Sequence, residues 1–265
     1  IFTFFPIIRW LHRCFIYWTW ENTWQEFIRG SNQAIKKERA IRESTSRYLQ
    51  KSHRDIPLIP DYPLGCRRIL LSDGYFSTLR ENNVTLLSDT IKTVEVDGVT
   101  TYGGSYVKAD CIILATGFKA NDFLPGIEIK GKGKEDLKMV WKRSNGAEAY
   151  LGMTVPGFPN FFMIYGPNTN LGHNSIIFMI ECQINYILSA WQLLTKSQTG
   201  SIEVKLSAFQ SYKNVLFKEL ERTAWAGKCD SWYKTATNKI VNNWSSHTVK
   251  YWWMTRRIKK REYRF

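Results

Sequence analysis

Cys111, Ile112, Ile113 and Leu114 follow Asp110 without interruption and run into Ala115-Thr116-Gly117-Phe118. An unbroken apolar run is the pattern of a strand covered on both faces, as in a parallel sheet with helices on either side. The turn that ends it predicts a close approach, because Gly117 has no Cβ to hold a flat cofactor or a second backbone away. Such a strand demands neighbours on both edges and layers above and below. The expected class is α/β.

The rest of the chain reads as helix, then strands, then loop and helix. Residues 1–56 are expected to be helical, with a stripe of Ile7, Ile8, Leu11, Phe15 and Trp18 and a second, charged helix through Lys36 to Leu49. Arg9, His12 and Arg13 interrupt the first segment, whereas a membrane span wants about twenty largely uncharged residues. An amphipathic helix packed on protein is expected there, with an interfacial membrane helix as the alternative. Pro57, Pro60 and Pro63 set a boundary. Residues 84–87 and 93–96 are short strand candidates, Asp97-Gly98 signals a hairpin, and 111–115 closes the block. A further strand over 160–165 leads through Gly166-Pro167 into a helix. That helix carries Ile176, Ile177, Ile180, Ile184, Ile187, Leu188 and Trp191, with Asn174 or Ser175 as cap. A last helix carries Phe209, Tyr212, Leu216 and Leu220.

Charge and cysteines bound the partners and the compartment. The net charge of +14 suits nucleic acid, an anionic membrane or a phosphate-rich cofactor. The aromatics lie in helical stripes better explained as core, which argues against nucleic acid. Arg256, Arg257, Lys259, Lys260, Arg261 and Arg264 crowd into a C-terminal tail, either simply solvated or a targeting or membrane-surface patch. Cys14, Cys66, Cys111, Cys182 and Cys229 are odd in number, far apart and never in C-x-x-C. Neither a disulfide framework nor a zinc site is expected, and a reducing, cytoplasmic location follows. The sequons at Asn83 and Asn243 do not overturn that. His12, His53, His173 and His247 show no ligand spacing, so no metal is expected.

Local motifs supply no complete active site. Gly131 and Gly133 begin a G-x-G-x-x-G pattern, but Asp136 occupies the third position and no strand precedes it. Two segments remain. The first, Tyr165-Gly166-Pro167-Asn168-Thr169-Asn170-Leu171-Gly172-His173-Asn174-Ser175, is a polar loop entering a helix N-terminus, where free N–H groups and the helix dipole stabilise negative charge. It reads as a ligand loop or as a capped connection without ligand. The second, Arg67-Arg68, is solvated charge or a clamp for a phosphate or an oxyanion.

Several segments together resemble the Baeyer–Villiger monooxygenases and the wider class of flavin-containing monooxygenases. They are Asp61-Tyr62-Pro63-Leu64-Gly65-Cys66-Arg67-Arg68 through Tyr75, Asn82-Asn83-Val84-Thr85-Leu86, and the run from Asp110 to Phe118. Further along come Pro156-Gly157-Phe158-Pro159-Asn160-Phe161, the 166–176 loop, Cys229-Asp230-Ser231-Trp232-Tyr233, Asn243-Trp244 and residues 252–257.

The resemblance implies a two-dinucleotide-binding-domain, Rossmann-like flavoprotein using FAD and NADPH. It would insert one atom of O2 into a small organic substrate, ketone to ester, through a C4a-peroxyflavin. Oxygenation of nitrogen or sulfur is the alternative. Arg68 matches the arginine that stabilises the oxygenated flavin, with Arg67 as fallback. Thr116, Gly117, Phe118, Asn168, Asn170, Leu171, His173, Asn174 and Ser175 match cofactor-binding positions, and Trp232 the substrate pocket. The chain starts at Ile1 and lacks both glycine-rich dinucleotide loops, so it is expected to be an N-terminally truncated C-terminal half. Residues 1–62 would be a helical insert, 63–110 the end of the NADPH domain and 111–265 the return of the FAD domain. A different class of reading makes it a catalytically silent interaction protein with its basic tail as contact surface.

Overall fold

The computed structural model describes residues 5–50 and 58–265, leaving the side chains of Leu49 and Gln50 aside. The break expected at Pro57, His53, and the first four residues of the aromatic segment lie outside the described residues. In chain order the elements are helices α1 (Pro6–Asn22), α2 (Asn32–Gln50) and α3 (Tyr75–Thr78), then strands β1 (Ile91–Val94), β2 (Gly98–Thr101) and β3 (Tyr106–Lys108). Helices α4 (Leu137–Arg143) and α5 (Ile176–Leu194), strand β4 (Glu203–Val204), helices α6 (Leu206–Leu220) and α7 (Thr248–Thr255) and strand β5 (Tyr263–Arg264) follow. The chain divides into a larger unit (1–37, 62–69 and 120–265) and a smaller one (38–61 and 70–119).

In the larger unit, α1 opens on Pro6, which needs no amide partner in a first helical turn. A 3-10 turn over Thr23–Phe27 then drives Trp24 and Phe27 into the main core. Helix α6 buries Phe209, Tyr212, Leu216 and Leu220, the face its spacing predicts. Helix α5 forms where expected and Ser175 caps it, its Oγ accepting from Phe178 N at 3.3 Å. Its buried face differs from the expected one: Met179, Cys182, Gln183, Tyr186 and Ala190 point inward, while Ile177, Ile184, Leu188 and Trp191 are exposed. Both faces are apolar, so period alone identifies the helix without choosing its inner side. Polar pairing chooses it. Gln183 Nε2 donates to Tyr251 OH at 2.9 Å, and Tyr186 OH donates to Tyr263 OH at 3.1 Å. Among the described residues, α5 is the one helix long and apolar enough to cross a membrane by length and composition.

The stripe on α1 is not packed on protein as expected: Ile7, Ile8, Leu11, Phe15 and Trp18 are all exposed. Contact comes instead from Tyr17, whose ring lies 5.2 Å from that of Phe178. At the other end of the chain, β4 and β5 pair antiparallel through Glu203–Arg264 and Val204–Tyr263.

In the smaller unit, β1, β2 and β3 form an antiparallel sheet, with Val99 opposite Val94 on one side and Val107 on the other. The Asp97-Gly98 hairpin forms, with Glu95 N donating to Gly98 O at 2.8 Å. The expected strands at 84–87, 111–115 and, in the larger unit, 160–165 do not form. The correction is largest at 111–118. It pairs with no strand among the described residues, and Ile113 and Leu114 are 86% and 81% exposed rather than buried. A strand exists only through its neighbours' hydrogen bonds, and a local apolar pattern does not contain those neighbours. Burying each such side chain contributes about 1.5–3 kcal/mol, and this segment forgoes it.

A disulfide joins Cys66 and Cys229, with Cα atoms 6.4 Å apart, against the expectation of none. The two cysteines are separated by 163 residues, and spacing along a chain says nothing about proximity in space. Cys14, Cys111 and Cys182 are free. Thiol titration of denatured, unreduced protein is therefore expected to find three reactive thiols. Replacing Cys66 by Ser should raise that count to four by freeing Cys229, and a wild-type count of five that falls to four on the same replacement would show that the pair does not form.

Candidate functional site

The polar loop before α5 is held by a ladder of asparagines. Asn168 N donates to Val241 O at 2.8 Å, and its Nδ2 donates to Ile240 O and Asn243 O at 3.0 and 3.2 Å. Asn170 N donates to Asn242 O at 2.9 Å, Trp244 N donates to Asn170 O at 2.8 Å, and Asn170 Nδ2 reaches Asn243 Oδ1 at 2.6 Å. Asn168 adopts φ of +58°, a conformation asparagine tolerates better than most residues. Gly172 lies against the Phe27 ring, where a Cβ would come within 2.6 Å of it. The loop is thus fixed from below by residues 240–244 and from the side by the core.

Beneath the loop lies Glu21, at the end of α1 and 2% exposed. Its carboxylate accepts from Asn174 Nδ2 at 2.6 Å, Thr248 Oγ1 at 2.7 Å and Val249 N at 3.0 Å. The last of these is a free amide of the first turn of α7, so Glu21 caps that helix from a distance. His173 Nε2 and His247 Nδ1 stand 3.6 and 3.7 Å from its two oxygens. Burial alone would push this carboxyl up. The contacts with His173, Val249 N, Asn174 and Thr248 outweigh it and hold the carboxyl at about 2. Burial lowers His247, with Glu21 opposing. Tyr17 OH, bonded to Thr248 Oγ1 at 2.7 Å, is pushed up to about 12 by burial, with Glu21 adding to the rise.

Above this support is a cavity of about 470 Å³ lined by Arg68, Leu171, His173, Asn174, Ser175 and the first turn of α5. Arg13, Tyr17 and Trp20 of α1 form another wall, and Glu181 is its one lining carboxylate. Two guanidinium groups and a helix N-terminus against a single carboxylate make this a place for negative charge. His173 turns Nε2 towards Glu21, while its buried Nδ1 has no hydrogen-bond partner among the described residues. Such an orphaned group in a polar wall fits the heteroatom edge of a flat ring such as a flavin. Burial raises the phenols of Tyr165 and Tyr233, while the charge of Arg68 draws both down.

Five sequence-selected residues therefore meet in one cavity: Arg68, Leu171, His173, Asn174 and Ser175. Asn168 and Asn170 sit underneath, their side chains spent on the scaffold. Arg67 turns away, donating to Asp230 O at 2.7 Å with its guanidinium 4.8 Å over the Tyr62 ring. Trp232 is 41% exposed with its ring 4.3 Å from Tyr233, and it does not line the cavity. Thr116, Gly117 and Phe118 belong to the smaller unit and are exposed. Gly117 has φ of +87°, which favours glycine, yet nothing lies within 4 Å of where its Cβ would be. Sequence reasoning missed Glu21, Arg13 and Tyr233. The signal for Glu21 was available: it is the sole acid in the first 25 residues.

No protein-family model matches the chain. It is 35% identical over 260 residues to a Baeyer–Villiger monooxygenase of Pseudomonas aeruginosa, covering 96% of this chain and 48% of that protein. An FAD-binding monooxygenase of Aspergillus niger is 41% identical over 199 residues, covering 73% of this chain and 32% of that protein. Among solved structures, an oxidised steroid monooxygenase bound to NADP superposes with a TM-score of 0.72 at 26% identity, over 87% of this chain and 44% of that one. A closed cyclohexanone monooxygenase shares the fold with a TM-score of 0.73 at 24% identity, over 86% and 43%. The chain spans about a third to a half of the length of the curated relatives it matches.

Glu21→Gln keeps the side chain's shape and removes its charge. Lowering a carboxyl from 4.5 to about 2 stabilises the folded state at neutral pH by about 3 kcal/mol. Because the folded value is depressed, that stability is complete above 4.5 and disappears as pH falls towards 2. Urea unfolding is expected to show a deficit of this size at pH 7 that narrows with acidification. A constant deficit would mean that the charge of Glu21 contributes nothing.

Proposed function

The chain belongs to the family of the Baeyer–Villiger and FAD-binding monooxygenases, and from that premise we infer that it is the C-terminal half of an NADPH-dependent flavin monooxygenase. The reaction assigned is insertion of one atom of O2 into a small organic ketone to give an ester. FAD, once reduced by NADPH, supplies the oxygen-activating chemistry. Residues 63–110 are read as the end of the nicotinamide-dinucleotide domain and 111–265 as the return of the flavin domain.

The observation that carries this reading is the cavity joining Arg68 to the 171–175 loop at the head of α5. Arg68 contributes a permanent cation, which opposes negative charge developing at the reacting centre without exchanging a proton. Its side chain is exposed at the cavity while Tyr233 hydrogen-bonds to it, so it is oriented yet open to a ligand. His173, braced by Glu21 through Nε2, leaves Nδ1 without a partner among the described residues for the flavin ring, and the amides that begin α5 favour its anionic form. Glu21, Asn168 and Asn170 hold the loop in place and touch no ligand.

The half-protein reading draws support from the exposed run 111–118. Ile113, Leu114 and Phe118, the last 97% exposed, are suited to insertion between strands that the other half would supply. The phosphate-cradling glycine loops would come from the same source, since the sequence here has none. At the tail, Arg256 stacks 3.5 Å over the Trp253 ring, an exposed cation–aromatic pair suited to a weak contact with an anionic membrane surface.

In the complete monooxygenase, Arg68→Ala is expected to keep NADPH oxidation within about tenfold while oxygenated product falls by about a hundredfold or more, as for loss of one charge-stabilising donor. Hydrogen peroxide should then account for the NADPH consumed. Undiminished ester formation would remove the role of Arg68.

A further inference from the structure

A separate cavity of about 480 Å³ opens in the larger unit between α6, α7 and the residues leading into β5, and no residue of the candidate site lines it. Its volume is ordinary for a small-molecule site. Ala208, Val215, Leu216, Met254 and the Trp244 ring supply an apolar wall. Tyr212 also lines it; the residue is 8% exposed and its hydroxyl has no hydrogen-bond partner among the described residues. Burial raises the Tyr212 phenol, with Glu219 adding to the rise, so the group is a neutral O–H donor seeking an acceptor.

The charges at the cavity do not cancel. Lys250 pairs with Glu219, which also accepts from Ser245 Oγ at 2.6 Å. Lys259 lies 3.6 Å from Glu262, which also accepts from Tyr150 OH. Arg261 is the third cation, and its guanidinium makes no ion pair among the described residues. Only its carbonyl is engaged, by Lys205 Nζ at 2.9 Å. One donor without an acceptor, one cation without an anion and an apolar wall define a single ligand chemistry.

We propose that this cavity binds an aliphatic carboxylate. Its oxygens accept from Tyr212 OH and neutralise the excess cation contributed by Arg261, and its hydrocarbon chain lies on Ala208, Val215, Leu216 and Met254. The site is independent of the flavin reading, because its residues are disjoint from the other cavity.

The test is calorimetric titration of the purified full chain with sodium octanoate, 1-octanol and octylamine. Octanoate is expected to bind saturably at one site, about tenfold or more tighter than octanol, with octylamine excluded. Tyr212→Phe should weaken octanoate about tenfold without lowering thermal stability, since the hydroxyl has no partner to lose. Arg261→Gln, on an exposed side chain that leaves the fold intact, should weaken octanoate and flatten the salt dependence of binding. Absence of saturable binding would overturn the proposal, as would equal affinity for octanoate and octanol. So would octanoate affinity unmoved by Arg261→Gln, a result that stands even should Tyr212→Phe fail to fold.

Discussion

Where α1 ends, the loop before α5 arrives and α7 begins, a single carboxylate is removed from water. Such a charge is tolerated only with strong partners around it, and Glu21 takes three hydrogen bonds, with two imidazoles beyond them. The partners come from residues 173–174 and 247–249, more than 150 residues away along the chain. These segments must arrive together or the charge is stranded. The wall of the candidate cavity, the cap of α7 and the position of His173 therefore share one electrostatic requirement.

Above this support the site has two tiers, and polar residues of similar type serve in different ones. Asn168 and Asn170 are buried; the Asn168 amide is taken up by the Ile240 and Asn243 carbonyls and that of Asn170 by the Asn243 and Tyr165 side chains, which makes the loop rigid. His173 is equally buried, with Nε2 on Glu21 but Nδ1 unpartnered among the described residues, and Arg68 is bonded to Tyr233 yet open to solvent. Rigidity below and unfilled valence above are the physical conditions for a preorganised site. The disulfide between Cys66 and Cys229 lies two residues from Arg68 and three from Trp232, and ties their segments together across the sequence.

The smaller unit is in a different energetic state. Its antiparallel sheet satisfies its own hydrogen bonds, but residues 111–118 present apolar side chains to water with no strand beside them. In the larger unit the outer face of α5 and the stripe of α1 do the same. Exposed apolar residues of this kind are what the proposed half-protein reading requires in each unit.

The local patterns were legible without the structure. Period and capping marked α5 and α6, the Asp97-Gly98 pair marked the hairpin, and the composition of the 165–175 loop with Arg67-Arg68 marked the candidate site. These features depend on interactions within a few residues of one another, which a sequence contains in full. What the sequence left open required distant partners. Helix α5 has apolar residues on more than one face, and contacts with Tyr251 and Tyr263 decided which face turned inward. The run at 111–118 is apolar enough for a buried strand, but strandhood depends on neighbours that local pattern does not specify. Cys66 and Cys229 became a pair, Glu21 became the support of the loop, and Asn168 and Asn170 became scaffold rather than lining, all through contacts between segments far apart in the chain. Burial, pairing and charge compensation are properties of three-dimensional proximity, so tertiary structure alone decided them.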